Sequence, residues 1–158
     1  MFIFLSNSFL VINNDDFDYK QNEQNKIPSI LVFNIKDDSI VPIKVDLQQN
    51  NATNTKLSLK LLCGCFSETE KYMAICDDQK NIFLFNQQFA LINTFRVKKN
   101  CVKIMFNKNE DIILYCDKSG DIYELNLNDL NSEAKLLLGH CSMLLDFTIT
   151  DDQKYIIR

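Results

Sequence analysis

The sequence predicts an all-β protein assembled from repeated four-stranded units, and three observations carry that expectation. First, Glu70-Lys71-Tyr72-Met73-Ala74-Ile75-Cys76-Asp77 is echoed by Glu110-Asp111-Ile112-Ile113-Leu114-Tyr115-Cys116-Asp117. Second, the echo runs on without an insertion from Asn81-Ile82-Phe83-Leu84-Phe85-Asn86 to Asp121-Ile122-Tyr123-Glu124-Leu125-Asn126. Third, apolar runs of four to eight residues, punctuated by Asn, Asp, Ser and Gly, dominate the chain. Repeats of roughly 40 residues made of such runs are the sequence signature of β-propeller blades.

The elements follow in order. Residues 1–47 form a first blade, with runs at 2–5, 9–12, 29–35 and 40–45. Between its second and third runs, residues 14–28 are rich in Asn, Gln and Asp and hold nothing that could fill a core, so a disordered insertion is expected. A polar linker at 48–55 leads to a second blade at 56–98, with runs at 59–66, 72–76, 82–85 and 91–97. The third blade, 99–138, has runs at 102–106, 112–116, 122–127 and 135–138. A fourth begins at 139–158, with runs at 143–150 and 155–157, and the printed chain stops within a strand. Three and a half blades of a ring that closes with typically 4–8 suggest the N-terminal part of a larger protein, one that would expose apolar surface by itself.

Composition narrows the function classes. The 158 residues are 46% hydrophobic and 24% charged with a formal net charge of -4. That suits a globular domain with a sizeable core. Overall acidity argues against a stand-alone nucleic-acid binder, which needs cations to displace the counterions of phosphates. The six cysteines (63, 65, 76, 101, 116 and 141) fall largely in or beside strand-like runs, where cysteine acts as a small hydrophobe, so a reduced, intracellular setting is expected. The apolar start at 1–12 is broken by Ser6-Asn7-Ser8 and lacks a basic flank and a cleavage-type site, so it does not read as a signal peptide. No run approaches membrane-spanning length.

The third strands end in Phe33-Asn34, Phe85-Asn86 and Leu125-Asn126, and Gly139-His140 opens the fourth unit. In WD-repeat propellers the paired strand-end positions hold Trp-Asp, so this chain resembles that family in degenerate form. Two segments are sharper: Gly139-His140-Cys141-Ser142-Met143-Leu144-Leu145-Asp146, followed by Thr150-Asp151-Asp152-Gln153-Lys154-Tyr155-Ile156, and Cys116-Asp117-Lys118-Ser119-Gly120-Asp121-Ile122-Tyr123. In this order and spacing they resemble the WD-repeat, non-catalytic subunits of tRNA (guanine-N7-)-methyltransferase, over about residues 57–158.

The resemblance implies a seven-bladed propeller that holds and stabilises a separate catalytic subunit as a heterodimer. That partner, not this chain, would bind S-adenosylmethionine and form N7-methylguanosine in the variable loop of certain tRNAs. It also implies location in the nucleus, with the cytoplasm as an additional alternative, no membrane, and no cofactor of the chain's own; no metal is expected either. The family's acidic and basic docking segment follows the strand at 155–157, and the printed chain ends at Arg158 before it.

Each candidate site competes with a plain structural role. His140, Ser142 and Asp146 could be imagined as a hydrolytic triad, but one strand-entry loop cannot easily converge all three. His140 is read as structural, bonding an Asp that would lie past Arg158, and Asp117 and Asp146 are read as structural too. Cys63-Gly64-Cys65 is too closely spaced for zinc, and alternation puts both thiols on one strand face. Asp37-Asp38, Asp77-Asp78 and Asp151-Asp152 suit turns, where Asp bonds nearby backbone. With Gly only at 64, 120 and 139, there is no phosphate-binding loop.

Charge is the more informative pattern. Five basic residues (Arg96, Lys98, Lys99, Lys103 and Lys108) and no acid lie between positions 96 and 108. The repeat places Lys98 and Lys99, in an inter-blade loop, on the same rim as Lys80 and Lys118, in turns after second strands. That rim is either an ordinary solvated edge or a face for a tRNA phosphate backbone or an acidic patch on the methyltransferase. The reading is therefore a non-enzymatic scaffold subunit, with a general WD-repeat adaptor as the alternative and a hydrolase using His140 a remote third.

Overall fold

The computed structural model describes residues 3–13, 29–44, 60–129, 133–139, 143–144 and 146–158. The expected insertion at 14–28, the linker at 48–55, and the readings of His140 and Ser142 fall outside the described residues. Every regular element among the described residues is a strand. Among these residues no helix is long and apolar enough to cross a membrane.

The chain divides into two compact units, Met1–Lys60 and Leu61–Arg158. The first holds one four-stranded antiparallel meander: β1 (Ile3–Leu5), β2 (Phe9–Asn13), β3 (Ser29–Asn34) and β4 (Ile40–Lys44). Val11, Ile30 and Val32 on the central strands are fully buried.

The second unit holds two such meanders and a two-stranded piece. β5 (Leu61–Phe66), β6 (Tyr72–Asp77), β7 (Asn81–Asn86) and β8 (Leu91–Arg96) form one sheet. β9 (Cys101–Phe106), β10 (Ile112–Asp117), β11 (Ile122–Asn126) and β12 (Lys135–Leu138) form the next, and β13 (Thr148–Ile149) pairs with β14 (Ile156–Ile157). β5 and β9 lie side by side, so the first strands of the two sheets meet.

Burial explains the apolar pattern. β6 and β10 are buried on both faces, from Met73 to Asp77 and from Ile113 to Asp117, which is why they read as continuous apolar runs. The outer strands β8 and β12 are largely exposed and read as mixed. Tyr72 stacks on Phe106 across the two sheets at 6.3 Å.

Turn chemistry repeats as closely as the strands do. Glu70, Glu110 and Gln153 occupy equivalent first turns, all at φ 58°. Each donates its backbone N–H three residues back, to the carbonyls of Ser67, Asn107 and Thr150. Within the second unit two of these side chains reach the preceding sheet: Glu110 accepts from the Thr69 N–H at 2.7 Å and its hydroxyl at 2.8 Å, and Gln153 accepts from the Lys108 N–H at 3.3 Å. The Asp turns bond as expected, Asp37 accepting from the Ser39 N–H and Asp152 from the Lys154 N–H.

One element differs from expectation. Among the described residues the run at 143–150 yields only Thr148–Ile149 as strand, because Leu144 and Phe147 instead pack against Leu114, Cys116 and Ile122 of the third sheet. Their apolar signal comes from that lateral burial rather than from strand pairing.

Candidate functional site

Two equivalent turns and one loop make the site. At the end of β6, Asp77 is buried and its Oδ1 accepts the N–H groups of Gln79 (3.0 Å) and Asn81 (2.7 Å), while Oδ2 accepts the Asn81 amide at 2.7 Å. At the end of β10, Asp117 is fully buried and its Oδ1 accepts from the Ser119 N–H (2.7 Å) and the Asp121 N–H (3.3 Å). A carboxylate taking the i+2 and i+4 N–H groups holds the turn tight and drives the residue at i+3 into the left-handed region. That residue is Gly120 at φ 89° in one repeat and Lys80 at φ 67° in the other. Burial raises the Asp77 carboxyl above 3.8, against the pull of the Asn81 and Gln79 hydrogen bonds.

The loop between β8 and β9 is pinned by buried Val97 and Cys101, so Lys98 and Lys99 between them are thrown outward. The Val97 N–H bonds the Lys80 carbonyl at 2.9 Å, tying the loop to the first turn. The second repeat's Asn81 is replaced in the third by Asp121, which sets a second carboxylate beside Asp117. Lys99 answers both: its Nζ lies 3.3 Å from Asp117 Oδ2 and 3.1 Å from Asp121 Oδ2, and donates to Ser119 Oγ at 3.1 Å. Its hydrogen bond to Asp121, then that to Asp117, holds the ammonium above its ordinary value.

The four lysines expected on one rim do converge. Lys80, Lys98, Lys99 and Lys118, with Asn100 and Ser119, line a shallow depression of about 250 Å³. They are not equivalent, however. Lys99 is neutralised by two carboxylates, whereas the ammonium groups of Lys80, Lys98 and Lys118 meet no acid or hydrogen-bond partner among the described residues. Asn100 Oδ1 is buried without a hydrogen-bond partner. Sequence reading missed Lys99's pairing and Asn100. The Asn81-to-Asp121 change between repeats was the one available signal for the first.

The other candidates fall elsewhere. Asp146 is mostly exposed and forms an ion pair with Lys103 of β9, which holds its carboxyl below the usual range. Lys103 also lies 5.8 Å from the centre of the Phe147 ring, so this contact joins the fourth unit to the third sheet. Cys63 faces Cys76 across β5 and β6. Cys63, Cys65, Cys76, Cys101 and Cys116 are free thiols. Burial first, then the Cys101 and Cys63 thiols, pushes Cys76 up, and burial pushes Cys116 up to about 11. Among the described residues no group of three or more His, Cys, Asp or Glu side chains could hold a metal ion.

No family model matches the chain. Among curated relatives, it is 34% identical over 121 residues to a zebrafish (Danio rerio) protein named tRNA (guanine-N(7)-)-methyltransferase non-catalytic subunit, covering 73% of the chain and 29% of the relative. Proteins of the same name from human and mouse are 32% and 33% identical, over 70% and 61% of the chain and 28% and 24% of their own lengths. The chain thus spans under a third of these relatives. Among solved structures it is similar to a chain of the mitotic checkpoint complex (TM-score 0.68, 10% identity, 94% of this chain and 39% of that one). It is also similar to Saccharomyces cerevisiae Sqt1 (TM-score 0.57, 20% identity, 76% and 31%). These likenesses show the fold, that of WD-repeat β-propellers.

Proposed function

The chain is homologous to the non-catalytic subunits of tRNA (guanine-N(7)-)-methyltransferase, and on that premise we propose that it is a non-enzymatic scaffold for a methyltransferase catalytic subunit. The observation that carries this reading is the 34% identity running through 121 residues of repeat sequence. The strands of a propeller repeat are interchangeable between unrelated functions, and fold alone would not select this one. In this reading the chain binds the productive conformation of its partner and raises its population by mass action. S-adenosylmethionine belongs to the partner, the pair works as a heterodimer in the nucleus and cytoplasm, and the lysine-lined depression adds to the tRNA surface.

Affinity purification of the tagged full chain from its own cells tests the scaffold. The expected result is co-purification of an S-adenosylmethionine-binding methyltransferase, with loss of N7-methylguanosine from tRNA when the chain is depleted. Recovery of other proteins with tRNA methylation intact would favour a general adaptor and overturn the reading.

A further inference from the structure

The β5–β6 and β9–β10 turns are held together by one carboxylate and one exposed hydroxyl. Glu110 reaches back to the preceding sheet and takes two hydrogen bonds from a single residue, the Thr69 N–H at 2.7 Å and the Thr69 hydroxyl at 2.8 Å. Burial pushes the Glu110 carboxyl up, but those two bonds, with the Ser67 hydroxyl and the nearby Lys71, hold it below its ordinary value. It is therefore ionised at neutral pH. Thr69 itself is exposed in its turn. The next latch along is neutral: Gln153 accepts from the Lys108 N–H at 3.3 Å, and the residue there in the place of Thr69, Asn109, carries no hydroxyl.

The repeat shows what a negative charge at position 69 meets. Ser67-Glu68-Thr69-Glu70-Lys71-Tyr72 aligns with Thr150-Asp151-Asp152-Gln153-Lys154-Tyr155, with Asp152 in the place of Thr69. The two turns are built alike: Ser67 Oγ accepts from the Tyr72 N–H and Thr150 Oγ1 from the Tyr155 N–H, each at 3.1 Å. Asp152 bonds within its own turn, accepting from Thr150 Oγ1 at 2.5 Å and from the Lys154 N–H at 3.2 Å, with Lys154 Nζ 3.8 Å away. Ser67 and Lys71 can serve an anion at position 69 in the same way. Such an anion has no proton to give Glu110, however, and two like charges at hydrogen-bond distance repel.

We propose that Thr69 is a phosphorylation site whose modification opens the latch between the second and third sheets. The flanking Glu68 and Glu70 suit a serine/threonine kinase with a basic substrate cleft. In the transfer, Thr69 Oγ1 attacks the γ-phosphorus of ATP. The new O–P bond replaces the β–γ phosphoanhydride bond, ADP leaves, and the hydroxyl proton passes to the kinase's base. The phosphate, with a charge of about −1.5 to −2 at neutral pH, is repelled by Glu110 and settles on Ser67 and Lys71 as Asp152 settles on Thr150 and Lys154. The Thr69 N–H loses its acceptor, and the β9–β10 turn loses its hold on the preceding sheet. This inference goes beyond the scaffold reading and does not rest on it.

Two measurements on the full chain test it. Phosphopeptide mass spectrometry of the chain purified from its own cells, with phosphatases inhibited, should find phosphate on Thr69, and its absence there overturns the site. The full chain is also made with phosphothreonine encoded at position 69, and amide hydrogen exchange is followed by NMR. Exchange at the Thr69 N–H should speed up roughly ten- to hundred-fold over the unmodified chain, the worth of one hydrogen bond to a charged group. The amides of Ile75 and Leu84, buried in β6 and β7, should exchange as before. In a Glu110→Gln chain, whose latch is neutral like that of Gln153, adding the phosphate should change exchange at Thr69 by less than about three-fold. Exchange unchanged by the phosphate, an acceleration that Glu110→Gln preserves, or one that spreads through β6 and β7 overturns the latch.

Discussion

Replacing Lys80 with glycine should stabilise the protein. Lys80 sits at φ 67° in the turn after β6, the position that Gly120 fills at φ 89° after β10. A residue with a Cβ in the left-handed region costs about 1–2 kcal/mol. Glycine removes that cost but frees the unfolded chain, which returns about 0.4–1 kcal/mol. The net expectation for Lys80→Gly is a gain of about 0.5–1 kcal/mol, a rise of about 2 °C in Tm for a chain of this size. The assay is urea unfolding of the full chain, where the midpoint should rise with the slope unchanged. Gly120→Ala is the mirror experiment and should lose about 0.5–1 kcal/mol, because it imposes on the third sheet the strain that the second already carries, less the gain from a stiffer unfolded chain. A fall in midpoint for Lys80→Gly, or no change for Gly120→Ala, would refute the claim that the buried Asp carboxylates dictate the backbone at i+3.

Other outcomes are expected from the same structure. Phe147→Ala should cost about 3–5 kcal/mol and release β13 and β14 from the third sheet, seen as lost hydrogen-exchange protection at Thr148–Ile149 and Ile156–Ile157 while β6 and β7 stay protected. The Asp77 carboxyl, raised above 3.8 by burial, binds its proton more tightly folded than unfolded. Its contribution is therefore full below that value and lost as pH rises through the raised one, so Asp77→Asn should look less damaging at about pH 7 than at about pH 3 when urea midpoints are compared. Cys76 and Cys116, buried and with thiols held well above neutrality, should resist iodoacetamide in the native chain and react on unfolding, as peptide mass spectrometry would report.

Much of the fold was legible because one physical fact recurs along the chain. A strand covered on both faces must be apolar throughout, and the turns after β6 and β10 each pair a buried Asp acceptor with a left-handed residue three places on. Both demands return in the second and third units, so Tyr72–Asp77 and Ile112–Asp117 announce each other without any three-dimensional knowledge. The rim was legible for the same reason, since equal positions in successive repeats must emerge on the same edge. The run at 143–150 misled because Leu144 and Phe147 are buried sideways, and periodicity does not distinguish burial against a neighbouring sheet from burial within a strand.

By itself the sequence determined the period and the strand-and-turn order of each unit, because these depend on neighbours within one repeat, and the gathering of Lys80, Lys98, Lys99 and Lys118, because equal positions in successive repeats share an edge. Only the tertiary structure decided which of those lysines keeps its charge unspent. Lys99 is claimed by Asp117 and Asp121, 18 and 22 residues further along the chain, and Lys103 by Asp146, 43 residues away. Ion pairing depends on distance in space, and the list of charges along a chain does not contain it.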